Sequence, residues 1–196
     1  MYEIPKEILV DKQSYIIRAG GDYRMILDCF SVLDDLELTL EERILTCLIV
    51  FYERFNCFDD ILADTDHVRE LVRQMFLFFN CGEEELENQP RQTKKLMDWK
   101  QDAQLICAAV NKVAGTEVRS LEYLHWWTFM GYYMSIGECP YSTILSIRDK
   151  IVSGKKLEKH EREFKNNNPR YFTWNSKTTE QLEADAWLKA NWNSGK

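Results

Sequence analysis

The feature that most constrains this chain is residues 124–134, LHWWTFMGYYM, which contain five aromatic side chains, one histidine and no permanently charged residue. Such a segment crosses a membrane, lines a cofactor pocket or lies in a soluble core. The apolar stretch from Leu121 to Ile136 is only 16 residues long and includes Glu122 and His125, whereas a membrane-spanning helix needs about 20 mainly apolar residues. We therefore predict a helix buried in protein, and no membrane partner.

The charge of the chain limits its binding partners. The formal net charge is −7, which argues against a general nucleic-acid binder because such proteins neutralise phosphates with clustered Lys and Arg. Residues 148–170 nevertheless contain eight Lys or Arg against four Asp or Glu, while the preceding 147 residues are acidic. The sequence thus predicts an acidic body with one basic segment, and no nucleic-acid partner.

Recognisable catalytic and metal-binding motifs are missing from the sequence. The six cysteines form no Cys-x-x-Cys pair, and only three histidines are present. The chain also contains no glycine-rich phosphate loop, no G-x-S-x-G and no H-E-x-x-H, the patterns typical of nucleotide-binding proteins, hydrolases and zinc proteases. We therefore expect no metal, no cofactor and no enzymatic activity, with the cysteines reduced in a cytosolic compartment.

Residues that favour β-structure occur near the N-terminus, at 8–10 and 15–17. They predict a short β-hairpin, although its turn lacks the favoured Asn-Gly or Asp-Gly pair. The rest of the chain has helical patterns. The predicted fold class is therefore mainly α, a compact helical domain over residues 1–168 with a short N-terminal β-hairpin. A polar tail follows at 169–196, with a weak helix around 178–189.

Capping residues delimit the predicted helices. Asp22 is a predicted N-cap, Thr39 and Glu42 form a capping-box pattern, and Gly82 is the predicted end of a helix that begins near Asp66. Later helices are predicted over residues 121–136, 142–152 and 157–164.

The clearest helical pattern lies in residues 91–114, where apolar side chains recur every three or four positions. These residues are Leu96, Trp99, Ala103, Ile106, Val110 and Val113. A coiled coil gives the same spacing. Because the pattern covers fewer than three heptads and an aromatic helix follows at once, we favour packing within the domain. The helix is predicted to end at Gly115.

Three polar residues are candidates for chemistry. Asp98 and Asp102 lie one turn apart on the predicted helix, so their carboxylates could bind a cation or act in acid–base catalysis; the alternatives are a solvated face or a buried hydrogen bond. His125 is either a general base or ligand, or a histidine held by a backbone or carboxylate partner. A small enzyme or metal-binding protein using these three residues is thus an alternative of a different class.

The aromatic and basic segments each allow two interpretations. Aromatic side chains cover every face of the helix predicted over 121–136, so the helix is either central in the fold or presents one face to another protein. The basic segment is either a solvated helix or a surface that docks onto an acidic partner. The predicted aromatic centre consists of Trp99, His125, Trp126, Trp127 and Phe129, and the candidate docking edge of Lys155, Lys156, Lys159 and Arg162.

Three segments, taken in order, resemble the bacteriophage "gene product fifteen" family. They are Asp98-Trp99 with Asp102-Ala103, the block Leu124-His125-Trp126-Trp127-Thr128-Phe129, and Ile147-Arg148-x-Lys150 leading to Lys155-Lys156-Leu157. The resemblance covers about residues 4–168. This family occurs in the tail-assembly region of siphophages and related prophages of Gram-positive bacteria, and it brings no catalytic residues to transfer.

The resemblance implies a function through gene position. The family's genes usually lie near the tail-tube gene and ahead of the tape-measure gene, as those of tail-assembly chaperones do. We therefore expect a non-enzymatic chaperone in the host bacterial cytoplasm that binds the tape-measure protein or a companion chaperone, with a second copy of the chain as a further candidate partner. The alternative is a minor structural tail component retained in the virion. Charge reversal of Lys155 and Lys156 is expected to weaken client binding without unfolding the protein.

Overall fold

The computed structural model describes residues 3–55, 65–84 and 95–173. In this part of the chain seven α-helices accompany one two-stranded antiparallel sheet at the N-terminus. The predicted fold class, mainly α with a short N-terminal hairpin, is confirmed.

The described residues separate into two compact units. Residues 3–55, 65–84 and 123–128 form the first unit, and residues 95–122 and 129–173 form the second. A short piece from the middle of the chain therefore completes the N-terminal unit. The single domain over 1–168 stays a prediction, because two compact units can still unfold together.

The N-terminal hairpin consists of β1 (Glu7–Val10) and β2 (Gln13–Ile16). Val10 pairs with Gln13, which leaves a two-residue turn, Asp11-Lys12. Both turn residues have positive φ, 49° and 68°, as a type I′ turn requires to match the twist of the strands. The hairpin therefore forms in the predicted place without the glycine that usually occupies such a turn.

Three helices build the rest of the first unit. They are α1 (Tyr23–Leu33), α2 (Leu40–Phe51) and α3 (Thr65–Phe79). Asp22 caps α1 as predicted, since its carboxylate accepts a hydrogen bond from the Arg24 amide at 3.0 Å. The predicted capping box is also present at α2, where the Thr39 hydroxyl and the Glu42 carboxylate each bind the other's backbone amide.

The core of the first unit joins these three helices. The Phe51 ring packs edge to face on Phe78 and Phe79, with centroids 5.3 Å and 5.4 Å away. Cys29 of α1 and Cys47 of α2 are fully buried free thiols that face each other. The contact with Cys29 and burial raise the pKa of the Cys47 thiol, so both cysteines pack as small hydrophobic residues.

Helix α3 ends in a Schellman motif. The Gly82 amide donates to the Leu77 carbonyl at 2.8 Å, and the Cys81 amide donates to the Phe78 carbonyl at 3.0 Å. Cys81 and Gly82 both have positive φ, 58° and 82°. The helix end predicted at Gly82 is thus confirmed, with Cys81 sharing the left-handed turn.

His67 at the start of α3 fastens the hairpin to the helices. Its Nδ1 lies 2.8 Å from the Asp11 carboxylate, and its Nε2 lies 2.6 Å from the Tyr15 hydroxyl. Asp11 is in the turn and Tyr15 is in β2, so one histidine holds both. These contacts stabilise a turn that its own residues do not favour.

The second unit is built mainly from the later helices. They are α4 (Ala103–Ala114), α5 (Trp126–Met134), α6 (Pro140–Val152) and α7 (Lys159–Asn167). The first three residues of α5 belong to the first unit. Gly115 has a φ of 69° and ends α4 as predicted.

The helix predicted over residues 91–114 is confirmed from Ala103 to Ala114 and is wrong over residues 95–102, while residues 91–94 lie outside the described residues. Helix α4 begins only at Ala103; residues 95–98 have no regular secondary structure and residues 99–102 form turns. The Asp98 carboxylate accepts from the amides of Lys100 and Gln101 at 2.9 Å and 2.7 Å, while Asp102 accepts from the Asp98 amide at 3.0 Å. Such bonds from aspartate to nearby amides compete with helical hydrogen bonds.

The other helix boundaries differ less from the predictions. Helix α5 begins at Trp126 rather than 121, because His125 forms an antiparallel bridge with Asp22. Helix α6 begins at Pro140, two residues early, since proline suits the first helical position. Helix α7 begins at Lys159, two residues later than predicted.

Part of the sequence prediction falls outside the described residues. The weak helix predicted around 178–189 lies there. Among the residues that the structure does describe, no helix combines the length and apolar character needed to cross a membrane.

The hairpin turn gives a first test. Lys12→Gly is expected to raise the free energy of unfolding by about 0.5 kcal/mol, because the left-handed conformation costs an L-residue about 1–2 kcal/mol and glycine loses about 0.5–1 kcal/mol more backbone entropy on folding. Urea denaturation measures the change. Asp11→Gly is the control, since it relieves the same strain but removes the His67 contact, and it should give no gain. Equal gains from both substitutions would contradict the role of His67.

Candidate functional site

Residues 123–128 cross the N-terminal end of α1. The Tyr23 amide donates to the Leu124 carbonyl at 2.9 Å, and the Leu124 amide donates to the Asp22 carboxylate at 2.9 Å. The side chain of Asp22 is buried and binds two segments. One carboxylate oxygen caps α1, and the other accepts from the Leu124 amide. We call this contact between residues 20–22 and 123–128 the junction.

Gly21 permits the close approach of the two segments at the junction. Its φ is 78°, and a Cβ atom there would lie 2.9 Å from His125 Nε2 and 2.9 Å from the Phe78 ring. Both the conformation and the space therefore require glycine. Beside it, the Tyr123 hydroxyl donates to the Gly20 carbonyl at 2.7 Å.

His125 is a neutral structural residue in this arrangement. Its Nε2 lies 3.1 Å from the Pro5 carbonyl, which can only accept, and its Nδ1 lies 3.0 Å from the Trp127 amide, which can only donate. These partners fix the tautomer with hydrogen on Nε2. Burial lowers the pKa of His125 from its ordinary value, and Lys6 adds to the shift while the Pro5 bond opposes it. Both ring nitrogens are thus occupied, and neither is free to bind a metal or take up a substrate proton.

The two consecutive tryptophans cap the C-terminal end of α3. Trp126 Nε1 donates to the Phe79 carbonyl and Trp127 Nε1 donates to the Phe78 carbonyl, each at 2.9 Å. Helix ends leave such carbonyls without partners inside the helix. Trp126 is almost fully buried and packs on Phe30 with centroids 5.7 Å apart. The paired tryptophans therefore join aromatic packing to capping of α3.

In the second unit, Asp102 and Arg148 form a buried ion pair. Two parallel bonds of 2.6 Å and 2.9 Å connect the guanidinium and the carboxylate, and the side chains are 0% and 2% exposed. Arg148 also donates to the carbonyls of Leu96 and Tyr171 at 3.0 Å and 2.8 Å. The ion pair thus joins α4 and α6 to the segments around Leu96 and Tyr171.

A second aromatic group lies in the same unit as this ion pair. Trp99 packs on Tyr133 and Phe129, with centroids 5.4 Å and 6.4 Å away. The Tyr133 and Tyr141 hydroxyls lie 2.9 Å apart. Burial raises the pKa of both tyrosines, so both hydroxyls stay protonated and act as hydrogen-bonding groups.

The predicted aromatic centre is thus divided between two groups of contacts. His125, Trp126 and Trp127 belong to the first unit, whereas Trp99 and Phe129 belong to the second. Each group is held by contacts within its own unit.

Asp98 and Asp102 do not share one helical face, because α4 begins after both of them. Burial opposes ionisation of Asp98, but the Gln101 amide, the Lys95 ammonium and the Lys100 amide together lower its pKa. Asp102 uses both oxygens on Arg148 and the Asp98 amide. Within the described ranges, no group of three His, Cys, Asp or Glu side chains could hold a metal ion.

Sequence reasoning missed two of the most connected residues. Arg148 was counted in the basic segment, yet it is buried on α6 together with Tyr141, Ile144 and Ile147. Its spacing from Tyr141 and Ile144 on one helical face was the available signal. The sequence gives no signal for Gly21, because nothing in the neighbouring residues shows that His125 approaches it.

The candidate docking edge lies at the turn between α6 and α7. Lys155, Lys156, Lys159 and Arg162 are all exposed. The Lys155 ammonium lies 3.8 Å from Asp149, while the other three side chains make no ion pair within the described part of the chain. Lys150, from the same basic segment, is paired with Glu161 at 2.6 Å. We call the four exposed residues the basic edge.

The family model described as "Bacteriophage Gp15 protein" matches residues 4–171. No curated protein and no solved structure matches the chain.

The buried ion pair gives a second test. Asp102→Asn leaves the Arg148 guanidinium buried without a counter-charge, so we expect a loss of about 3–5 kcal/mol in the free energy of unfolding, measured by urea denaturation. Lys95→Ala is the control, because it removes a more exposed pair with Asp98 and should cost less than about 1 kcal/mol. Similar small losses in both variants would contradict the structural role of Asp102.

His125 gives a third test, through pH. Because its pKa is lowered in the folded state, the unfolded chain takes up the proton first as the pH falls. Its contribution to stability is therefore complete above about pH 6.5 and decreases below that value. The free energy of unfolding of the wild-type protein should fall more steeply from about pH 7.5 to 5.5 than that of His125→Gln. Parallel profiles would show that His125 is not held neutral.

Proposed function

Because the chain belongs to the Bacteriophage Gp15 protein family, we propose that it is a non-enzymatic tail-assembly chaperone. Its client is the tape-measure protein or a companion chaperone in the cytoplasm of the host bacterium. The observation that carries the proposal is the family match, which includes residues of both compact units. The gene position implied by the resemblance supplies the link to tail assembly.

The use of the polar residues supports a role without catalysis. Asp102 is saturated by Arg148 and the Asp98 amide, and His125 has a partner on each ring nitrogen. Both tryptophan indoles donate to helix carbonyls. The residues that the sequence offers for chemistry are thus engaged in holding the fold, so function is expected to lie on the surface.

The basic edge is the surface that fits the client. Four cations are exposed there on a chain of net charge −7. The edge can bind acidic side chains of an elongated helical client, and the remaining negative charge disfavours aggregation of the complex. The client segment that would bind this edge is therefore an amphipathic helix with acidic residues on its polar face.

Co-expression with the tape-measure protein tests the proposal. A chaperone should keep the tape measure soluble and should co-purify with it, and purified virions should contain none of this chain. An insoluble tape measure with no recovered complex would overturn the chaperone assignment. Detection of the chain in purified virions would favour the alternative, a minor structural tail component.

Charge reversal then tests the docking edge. Lys156→Glu with Lys159→Glu is expected to weaken client binding at least about tenfold, because it replaces two attractions with two repulsions. Titration of a purified tape-measure fragment by calorimetry measures the change. The matched control is Arg54→Glu with Lys100→Glu, which reverses two exposed cations elsewhere. Equal effects of both double variants would show that net charge, not the basic edge, governs binding.

A further inference from the structure

We propose that copies of this chain associate head to tail, with an acidic surface near α1 and α2 of one copy docking on the basic edge of the next. The inference goes beyond the proposed function, because it requires no client. Two exposed surfaces of opposite charge on the same chain support it.

The acidic surface lies at the turn from α1 to α2. Residues 34–42 contain five carboxylates and no Lys or Arg, and all five are exposed. They are Asp34, Asp35, Glu37, Glu41 and Glu42. We call them the acidic tip. Arg43, the next residue in the sequence, is buried and donates to the carbonyls of Leu38 and Leu33. Five exposed carboxylates against one buried guanidinium leave the surface negative.

The fold fixes the acidic tip in shape. The Asp35 carboxylate accepts from the Glu37 amide at 2.9 Å, and Glu42 binds the Thr39 amide at 2.8 Å. The bonds to Thr39 also lower the pKa of Glu42, which therefore stays ionised at neutral pH. Since these residues are already ordered, docking costs little conformational entropy there.

The basic edge is held by the end of α6. The Lys155 amide donates to the Lys150 carbonyl at 2.8 Å, and the Gly154 amide donates to the Ile151 carbonyl at 3.1 Å, a Schellman motif with Gly154 at φ 67°. Lys159 and Arg162 follow three residues apart on α7. Two exposed acidic residues, Glu158 and Glu163, lie in the same region, and Asp149 lies 3.8 Å from Lys155. The four cations outnumber these three carboxylates, so the region stays positive.

Each surface also offers one exposed aliphatic side chain. Leu36, within the acidic tip, is 49% exposed, and Ile151, next to the turn that carries the basic edge, is 39% exposed. An apolar contact surrounded by charge pairs is a common composition for a protein interface. Contact between these two side chains would add an apolar attraction that salt does not screen.

The partner is a second copy because the two surfaces complement each other and not themselves. Two acidic tips repel, as do two basic edges, so a symmetric contact through either surface is disfavoured. A tip-to-edge contact between two copies leaves one acidic tip and one basic edge unbound. Repetition therefore gives a ring or a filament. Since the client is proposed to use the same edge, a bound client would release the next copy.

Sedimentation velocity of the full chain over a concentration series, without client, tests the inference. The wild-type protein should associate at low salt and dissociate as salt screens the charges. Two variants should each weaken self-association at least about tenfold: Lys156→Glu with Lys159→Glu, and Glu37→Lys with Glu41→Lys. Mixed one to one, they should associate again, since each mutated surface now complements the other.

The controls separate this inference from the proposed function. Arg54→Glu with Lys100→Glu should leave self-association within about threefold of wild type, and thermal unfolding should show that all variants are folded. The Glu37→Lys, Glu41→Lys variant keeps the native basic edge, so it should lose self-association while still binding the client. A wild-type chain that stays monomeric at every concentration, or a mixture that fails to restore association, would overturn the inference whatever the client experiment gives.

Discussion

The first unit depends on one long-range constraint, the binding of residues 123–128 at the junction. Asp22 and Leu124 are 102 residues apart in the chain, yet the Asp22 carboxylate caps α1 and binds the Leu124 amide together. The adjoining tryptophans donate to the carbonyl end of α3. One short segment thus satisfies polar groups at the ends of two helices, where a helix leaves backbone groups without partners of its own.

The second unit depends on a buried charge in the same way. Asp102 and Arg148 bind each other through two hydrogen bonds, and the guanidinium also donates to the carbonyls of Leu96 and Tyr171. Such a pair contributes less to net stability than to the choice of one arrangement, since removing either partner leaves a charge buried alone. The ion pair also removes Arg148 from the exposed part of the basic segment, so this residue is not available to a binding partner.

These two arrangements bear on the proposed function. A histidine and two aspartates are the residues that first suggest an active site, and each has a structural partner. What the fold leaves exposed is charge, negative at the α1–α2 turn and positive at the α6–α7 turn. A protein built this way is suited to reversible contacts with other chains, which is the work proposed for it in tail assembly.

The sequence by itself determined the elements whose signals are local. The caps at Asp22 and Thr39, the left-handed ends at Gly82 and Gly115, and the mainly helical class follow from residues within one or two turns of each other. Only the tertiary structure decided the rest. Helix α4 starts late because Asp98 and Asp102 bind backbone amides, and Asp102 also binds Arg148, 46 residues away. His125 became structural through Pro5, 120 residues away. Periodicity carries no information about contacts at such distances, because they arise from packing and not from the local pattern.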